Sequence, residues 1–130
     1  MANDSKIILY VEDNSDNRLL IRRVLTAEGF EVVEAEDAQR TFQVVETLHP
    51  DLILMDINLP EIDGYSLTAQ LRKLPHLSKV PIIALTANVM RGDRERTLEA
   101  GCDGYIQKPI DVDQICQVIH SYLKEVNHDG

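Results

Sequence analysis

The sequence predicts an α/β protein with a parallel β-sheet that is covered by helices on both faces. Short apolar runs alternate five times along the chain with segments whose apolar residues recur at helical spacing. Strands that alternate with helices in this way lie parallel and are joined by right-handed crossovers. The apolar run within residues 51–56, with turn residues on both sides, is typical of a strand buried on both faces.

The first strand and helix are predicted from an apolar run and the cap that follows it. Residues 7–11 form the run, and residues 15 to about 28 carry apolar side chains at helical spacing. Asn14 or Ser15 is a suitable N-cap for this helix, and Gly29 is suited to end it.

Weaker signals predict the second pair and lead into the central strand. Residues 30–35 alternate weakly, which predicts a strand. The next helix closes before Pro50, and its apolar face carries Ala38, Phe42, Val45 and Leu48. The central strand then covers residues 51–56 and ends in Asp56.

The second half of the chain continues the alternation. The predicted elements are a helix that carries Leu67, Leu71 and Leu74 and ends near Pro75, a strand at 80–85, a helix at 91–100 stopped by Gly101, a strand at 103–107, and a helix at about 111–126. The 91–100 segment is charged and only weakly amphipathic. Asp111 at the start of the last helix is favourable to the helix dipole.

Length and charge limit the kinds of protein that this chain can be. Its 130 residues suit one compact domain, predicted to span residues 1–130 with a core from about 6 to 126. The net charge of −9 would repel a phosphate backbone, so direct nucleic-acid binding is not expected. No apolar segment approaches the ~20 residues of a membrane span, and the N-terminus lacks the apolar region of a signal peptide. We therefore expect a soluble, cytoplasmic protein.

Polar side chains follow the apolar strands at their carboxyl ends. Glu12 and Asp13 come after strand one, Asp56 ends strand three, and Thr86 and Lys108 follow strands four and five. The carboxyl ends of parallel strands lie at one edge of the sheet, where α/β proteins bind ligands. The five side chains are therefore predicted to converge. Tyr10, within strand one, is interpreted as a packing residue.

These side-chain types fit phosphoryl transfer to a carboxylate. Three neighbouring carboxylates repel one another, and a divalent cation with hard oxygen ligands, such as Mg²⁺, relieves that repulsion. Lys108 and the Thr86 hydroxyl can bind phosphoryl oxygens, whose charge grows during transfer. Asp56 is then the attacking group, and the product is an aspartyl phosphate.

The same residues make the chain resemble the receiver domain of two-component response regulators, of the single-domain kind found in chemotaxis. The matching motifs are Val11-Glu12-Asp13-Asn14, residues 51–56, Leu59-Pro60 with Asp63-Gly64, Ala84-Leu85-Thr86-Ala87, and Gly101 to Ile106 with Lys108-Pro109. Together and in this order they are specific, and the match runs from Ile7 to about Leu123. Leu59 stands where many members have methionine, a volume-conserving change.

The resemblance implies a flavodoxin-like (βα)5 fold with strand order 2-1-3-4-5, and a cis bond before Pro109. It implies that a histidine kinase or phosphotransfer protein phosphorylates Asp56. Mg²⁺ would be held by Glu12 (through water), Asp13, Asp56 and the backbone carbonyl of Asn58.

The resemblance also implies how the signal is switched and ended. Thr86 and Lys108 would bind the phosphoryl oxygens, and Thr86 with Tyr105 would form the switch. A downstream protein would bind the surface of helix four, strand five and helix five. Asn58 and Asn88 would flank the attacking water and set a slow to moderate self-dephosphorylation, with no other enzymatic turnover.

Two alternatives remain open from the sequence. An aspartate-nucleophile phosphatase also forms an aspartyl phosphate, but it usually has a second Asp two residues after the nucleophile, where Asn58 stands here. Separately, no effector domain follows residue 126, which fits either a stand-alone regulator or a domain of a larger protein. Met1 and the polar ends favour the stand-alone regulator.

Overall fold

The computed structural model describes residues 5–87 and 93–128. The strands are β1 (Ile7–Val11), β2 (Glu31–Ala35), β3 (Leu52–Asp56), β4 (Ile82–Thr86) and β5 (Gly104–Gln107). The helices are α1 (Ser15–Ala27), α2 (Ala38–Val45), α3 (Gly64–Arg72), α4 (Asp93–Ala100) and α5 (Val112–His128), with a 3₁₀ turn at Pro75–Leu77. The predicted 91–100 helix is therefore present from Asp93, and its first two positions lie outside the described residues.

The strands form one parallel sheet in the order β2-β1-β3-β4-β5. This confirms the predicted α/β fold and the strand order 2-1-3-4-5. Every residue of β3 is buried, because this strand lies in the middle of the sheet and is covered on both faces. Its unbroken apolar sequence is the consequence of that position.

Two cores lie on opposite faces of the sheet, since successive strand side chains point to opposite sides. One core, here called the α2–α3 core, contains Ile53 and Ala84 together with side chains of α2 and α3. The other, the α1–α5 core, contains Tyr10 and Leu54 together with side chains of α1 and α5. A residue's place in its strand therefore decides which helices it meets.

Local chemistry explains where several elements begin and end. The Asn14 side chain accepts a hydrogen bond from the Asn17 N–H at 2.9 Å, so Asn14 rather than Ser15 caps α1. Gly29 follows α1 with φ of 97°, a conformation that other residues rarely adopt. Gly101 follows α4 in the same way, with φ of 108°. Both glycines end helices as predicted.

Several predicted boundaries differ from the structure by one to three residues, and two of these differences are informative. The strand predicted at 80–85 is found at 82–86, because Pro81 has no N–H to give to a sheet, although its carbonyl accepts from the Ile53 N–H at 2.9 Å. Helix α2 ends at Val45 although Leu48 continues its apolar pattern. Leu48 still packs against the α2–α3 core from the turn that follows.

Among the described helices, none is both long and apolar enough to cross a membrane.

Candidate functional site

Three carboxylates meet at the carboxyl edge of the sheet, as the strand order predicts. Glu12, Asp13 and Asp56 each bring one carboxylate oxygen within 4.8 Å of the others. Glu12 and Asp56 are only 1% exposed, whereas Asp13 is open to solvent. The cluster is therefore buried at its base and accessible from one side.

The alternation of the strands explains this convergence. Glu12, Asp56 and Lys108 each stand two residues beyond a member of the α1–α5 core, and those members are Tyr10, Leu54 and Ile106. Because side chains two residues apart in a strand share a face, the three polar groups extend that face past its apolar part.

Close backbone packing brings α3 against the same edge. The Gly64 N–H donates to the Ile57 carbonyl at 2.9 Å, and a Cβ on Gly64 would lie 2.5 Å from the Asp56 carbonyl oxygen.

The Lys108 ammonium interacts with two of the three carboxylates. Its Nζ donates to Asp56 Oδ1 at 2.9 Å and lies 3.9 Å from Glu12 Oε1. The same Asp56 oxygen accepts the Asn58 N–H at 3.0 Å. The bond between Lys108 and Pro109 is cis, as the resemblance implied. Asp56 thus has a fixed orientation, with one oxygen bound by a cation and by a backbone donor.

The surroundings of Glu12 raise the pKa of its carboxyl group. Burial raises the pKa of Glu12, and hydrogen bonding and charge repulsion from Asp56 raise it further, against the lowering effect of Lys108. Two carboxylates in this position compete for one ammonium group. A divalent cation would stabilise both ionised forms, and a set of carboxylate oxygens with one solvent-exposed member fits Mg²⁺.

Thr86 and Tyr105 occupy the other face of the same region. Thr86 ends β4, is 4% exposed, and shares its face with Ala84 of the α2–α3 core. Tyr105 pairs in register with Ala84 and packs half-buried against that core. The two predicted switch residues are therefore neighbours on one face of adjacent strands. The predicted role of Asn88 falls outside the described residues.

Three contacts at the site were missed by the sequence analysis. The Tyr10 hydroxyl donates to Glu12 Oε1 at 3.1 Å, and Arg18 Nη1 donates to the Glu12 carbonyl at 2.8 Å. The third is the close approach of Gly64 to the backbone of Asp56. The contact of Tyr10 could have been predicted from the sequence, because the Tyr10 side chain, two residues before Glu12, lies on the same face of the sheet and ends in a hydroxyl group. Arg18 and Gly64 depend on how helices dock, which no local pattern reveals.

The chain is similar to known response regulators over nearly all its length. Residues 8–120 match the family model described as response regulator receiver domain. The chain is 41% identical over 119 residues to the polar-differentiation response regulator DivK of Brucella ovis, covering 92% of this chain and 97% of that protein.

Solved structures show the same similarity. The receiver domain of the sensor histidine kinase PA1611 of Pseudomonas aeruginosa, determined with a magnesium ion in its active site cleft, is 38% identical, with a TM-score of 0.84 over 92% of this chain and 98% of that one. The chemotaxis response regulator CheY4 of Vibrio cholerae is 21% identical, with a TM-score of 0.86 over 90% and 98% of the two chains. The second similarity concerns the fold alone.

Proposed function

The chain belongs to the response regulator receiver domain family, and we propose that Asp56 is the residue at which this signalling domain accepts its phosphoryl group. The observation that supports Asp56 is its contact with Lys108, at 2.9 Å, inside a buried cluster of carboxylates. A nucleophilic carboxylate needs a nearby cation to accept a dianionic group, and Lys108 supplies one. We further propose that residues 1–130 form a single receiver domain, with its core at about 6–126.

The proposed reaction transfers the phosphoryl group from a phosphohistidine of a kinase or phosphotransfer protein. A carboxylate oxygen of Asp56 forms the new bond to phosphorus, the bond from phosphorus to the histidine nitrogen breaks, and that nitrogen keeps the electron pair. Lys108 then balances charge on a phosphoryl oxygen, and the Thr86 hydroxyl binds a second one.

The acidic cluster is the proposed magnesium site. Asp13, Asp56 and the Asn58 carbonyl would bind the ion directly, and Glu12 would bind it through water. The ion would supply positive charge that offsets both the carboxylates and the incoming phosphoryl group. The related receiver domain from Pseudomonas aeruginosa, determined with magnesium in its cleft, supports this assignment. Asp13→Ala should weaken Mg²⁺ binding and block phosphorylation, and unchanged Mg²⁺ affinity would contradict the site.

A groove beside the site is the proposed contact surface for the phosphoryl donor. The groove has a volume of about 320 Å³, and its walls include Leu20, Ile21, Lys108 and Pro109. Leu20 is 48% exposed, although it is apolar and lies on α1. Lys108 both forms a wall of this groove and contacts Asp56. A helix of the donor protein that binds in the groove would therefore hold its phosphohistidine next to Asp56.

The output surface is proposed to be the face formed by α4, β5 and α5. Tyr105 lies on β5 at the edge of the sheet and is only half-buried, so a change of its side-chain orientation would alter that face. A downstream protein that binds there would detect the state of Asp56. The proposed partners are proteins of the cytoplasm, which is the location we propose for this chain.

An aspartate-nucleophile phosphatase has no support in the observed relatives, which are response regulators. We propose no turnover beyond the domain's own phosphoryl transfer and slow self-dephosphorylation. The test is incubation with acetyl phosphate and Mg²⁺, followed by intact-mass spectrometry. The wild type should gain one phosphoryl group and Asp56→Asn none, while the circular dichroism spectra of the two stay alike. Full phosphorylation of Asp56→Asn would overturn the assignment, and steady turnover of a phosphomonoester would favour the phosphatase.

A further inference from the structure

A tyrosine lies in the otherwise aliphatic strand β1, two residues before Glu12 of the acidic cluster. The strand sequence is Ile-Ile-Leu-Tyr-Val, and Tyr10 is fully buried within the α1–α5 core. In register it stands between Glu34 of β2 and Leu54 of β3. An aliphatic side chain would fill such a place without bringing a polar atom into the core. A buried phenol hydroxyl requires a hydrogen-bond partner.

The partner of this hydroxyl is a residue of the proposed magnesium site. The Tyr10 hydroxyl donates to Glu12 Oε1 at 3.1 Å. The contact follows from strand geometry, because side chains two residues apart project on the same face. The ring is fixed by the surrounding core, so the hydroxyl cannot turn to solvent. It is therefore a rigid donor aimed at one oxygen of Glu12.

The remaining contacts of Glu12 leave its Oε1 dependent on Tyr10. Oε2 accepts the Asn14 N–H at 3.3 Å, and the Glu12 carbonyl accepts from Arg18 Nη1 at 2.8 Å. Lys108 Nζ is 3.9 Å from Oε1 and 2.9 Å from Asp56, so its stronger contact is with Asp56. The Glu12 carbonyl and Oε2 are thus bound by other donors, and the Tyr10 hydroxyl is closer to Oε1 than the Lys108 ammonium is.

We propose that Tyr10 is a positioning residue of the metal site. Its hydrogen bond orients the Glu12 carboxylate so that Glu12 contacts the cation through water rather than directly. The inference rests on the proposed function of this site. Both oxygens of Glu12 already accept a hydrogen bond from the protein, which favours a water-mediated contact. Mg²⁺ retains several of its waters when bound, whereas Ca²⁺ takes more direct carboxylate ligands. Tyr10 therefore contributes both affinity for Mg²⁺ and selectivity against Ca²⁺.

The test compares two variants that each lose one hydroxyl. Tyr10→Phe removes the donor to Glu12 and keeps the ring. Tyr122→Phe is the matched control, because its hydroxyl donates to the Asp103 carbonyl at 2.9 Å, away from the acidic cluster. Calorimetric titration with Mg²⁺ and with Ca²⁺ measures affinity and selectivity without any phosphorylation. We expect Tyr10→Phe to bind Mg²⁺ roughly tenfold more weakly, as for other residues that orient metal ligands, with a smaller loss for Ca²⁺. Tyr122→Phe should match the wild type.

A spectroscopic signature distinguishes positioning from general stability. The chain has four tyrosines and no tryptophan, so the near-ultraviolet difference spectrum on adding Mg²⁺ reports on tyrosines. The wild type and Tyr122→Phe should both show a tyrosine difference signal, and Tyr10→Phe should lose most of it. If Tyr10→Phe does not fold, the wild-type spectrum decides alone, because saturation with Mg²⁺ and no tyrosine signal would overturn the proposal.

The outcomes also separate this inference from the proposed function. A wild type that binds no Mg²⁺ would overturn the magnesium site itself. A wild type that binds Mg²⁺, with a folded Tyr10→Phe of equal affinity and equal selectivity over Ca²⁺, would overturn only the role of Tyr10. A variant that is less stable to heat but binds both ions as the wild type does would also overturn it.

Discussion

The Lys108 ammonium, directly after β5, donates to the Asp56 carboxylate at the end of β3 at 2.9 Å, across the carboxyl edge of the sheet. The Asp56 side chain is 2% exposed and that of Lys108 is 20% exposed, so this ion pair is largely shielded from water. Removing one partner of such a pair leaves an uncompensated buried charge. Lys108 therefore stabilises the metal-free fold as well as serving in the proposed phosphoryl transfer.

Lys108→Ala should destabilise the metal-free protein by about 3 kcal/mol, the lower end for breaking a buried pair. It should leave Mg²⁺ binding mostly intact while impairing phosphorylation or its consequences. Urea unfolding and acetyl phosphate labelling measure these effects. Lys79→Ala is the control, because Lys79 is exposed and precedes the amino end of β4, whereas the site lies at the carboxyl ends of the strands. Equal behaviour of the two variants would contradict the role of Lys108.

The buried Glu12 should make the stability of the metal-free protein depend on pH. Burial, hydrogen bonding to Asp56 and its charge raise the pKa of Glu12 above the ordinary 4.5. Above 4.5 and up to the raised pKa, folded Glu12 holds a proton that unfolded Glu12 has lost. The free energy of unfolding therefore falls as the pH rises through this window.

Urea unfolding of the metal-free protein at a series of pH values measures this slope. We expect the wild type to lose stability from pH 4.5 upward, and saturating Mg²⁺ to restore it by binding the folded state. Glu12→Gln, which carries no charge at any pH, should flatten the curve. A wild-type stability that rises throughout the same window would show that Glu12 is not the dominant group.

The groove beside α1 can be tested apart from the chemistry. Leu20→Glu should abolish phosphoryl transfer from a cognate kinase or phosphotransfer protein, because a charge would replace the exposed apolar contact. Labelling by acetyl phosphate, which needs no docking, should continue. Leu19→Glu is the matched control, since Leu19 is the preceding residue of α1, is 39% exposed and does not line the groove. Loss of transfer in both variants would mean that α1 is used more broadly than the groove.

Thr86→Ala should separate phosphorylation from its output. The variant should still take up a phosphoryl group, but it should lose much of the coupling to partner binding, a coupling of ~1–3 kcal/mol in allosteric proteins. NMR spectra with and without beryllofluoride, a phosphoryl mimic, provide the measurement. In the wild type, Tyr105 and amides of α4 should respond, whereas in the variant the response should stay near Asp56. A wild type in which only residues around Asp56 respond would place the output on another face.

The side chain at position 58 should set the lifetime of the phosphorylated state. Asn58 is exposed, and it orients Asp56 through its backbone N–H rather than through its side chain. Substitutions there should consequently preserve phosphorylation and change the decay rate, because we propose that the side chain flanks the path of the attacking water. The decay rate of the phosphorylated state, measured by mass spectrometry for several variants, tests this prediction. Identical decay for charged, polar and apolar side chains would contradict it.

The sequence by itself determined the fold class and the convergence of the site. Apolar runs that alternate with helical segments permit one arrangement, a parallel sheet, and a parallel sheet brings its carboxyl ends together. Glu12, Asp13 and Asp56 could therefore be placed side by side from their positions at strand ends alone, and the structure brings them within 4.8 Å. Their roles in phosphoryl transfer stay predictions.

Only the tertiary structure decided which neighbours each of these groups meets. That Arg18 binds the Glu12 carbonyl and that Gly64 packs on Asp56 depend on distances of a few ångströms between elements. Helix docking sets those distances through the packing of two whole cores, and no local sequence pattern records it. Strand periodicity can assign a side chain to a face, but the hydrogen bonds it makes there are decided by how the faces pack.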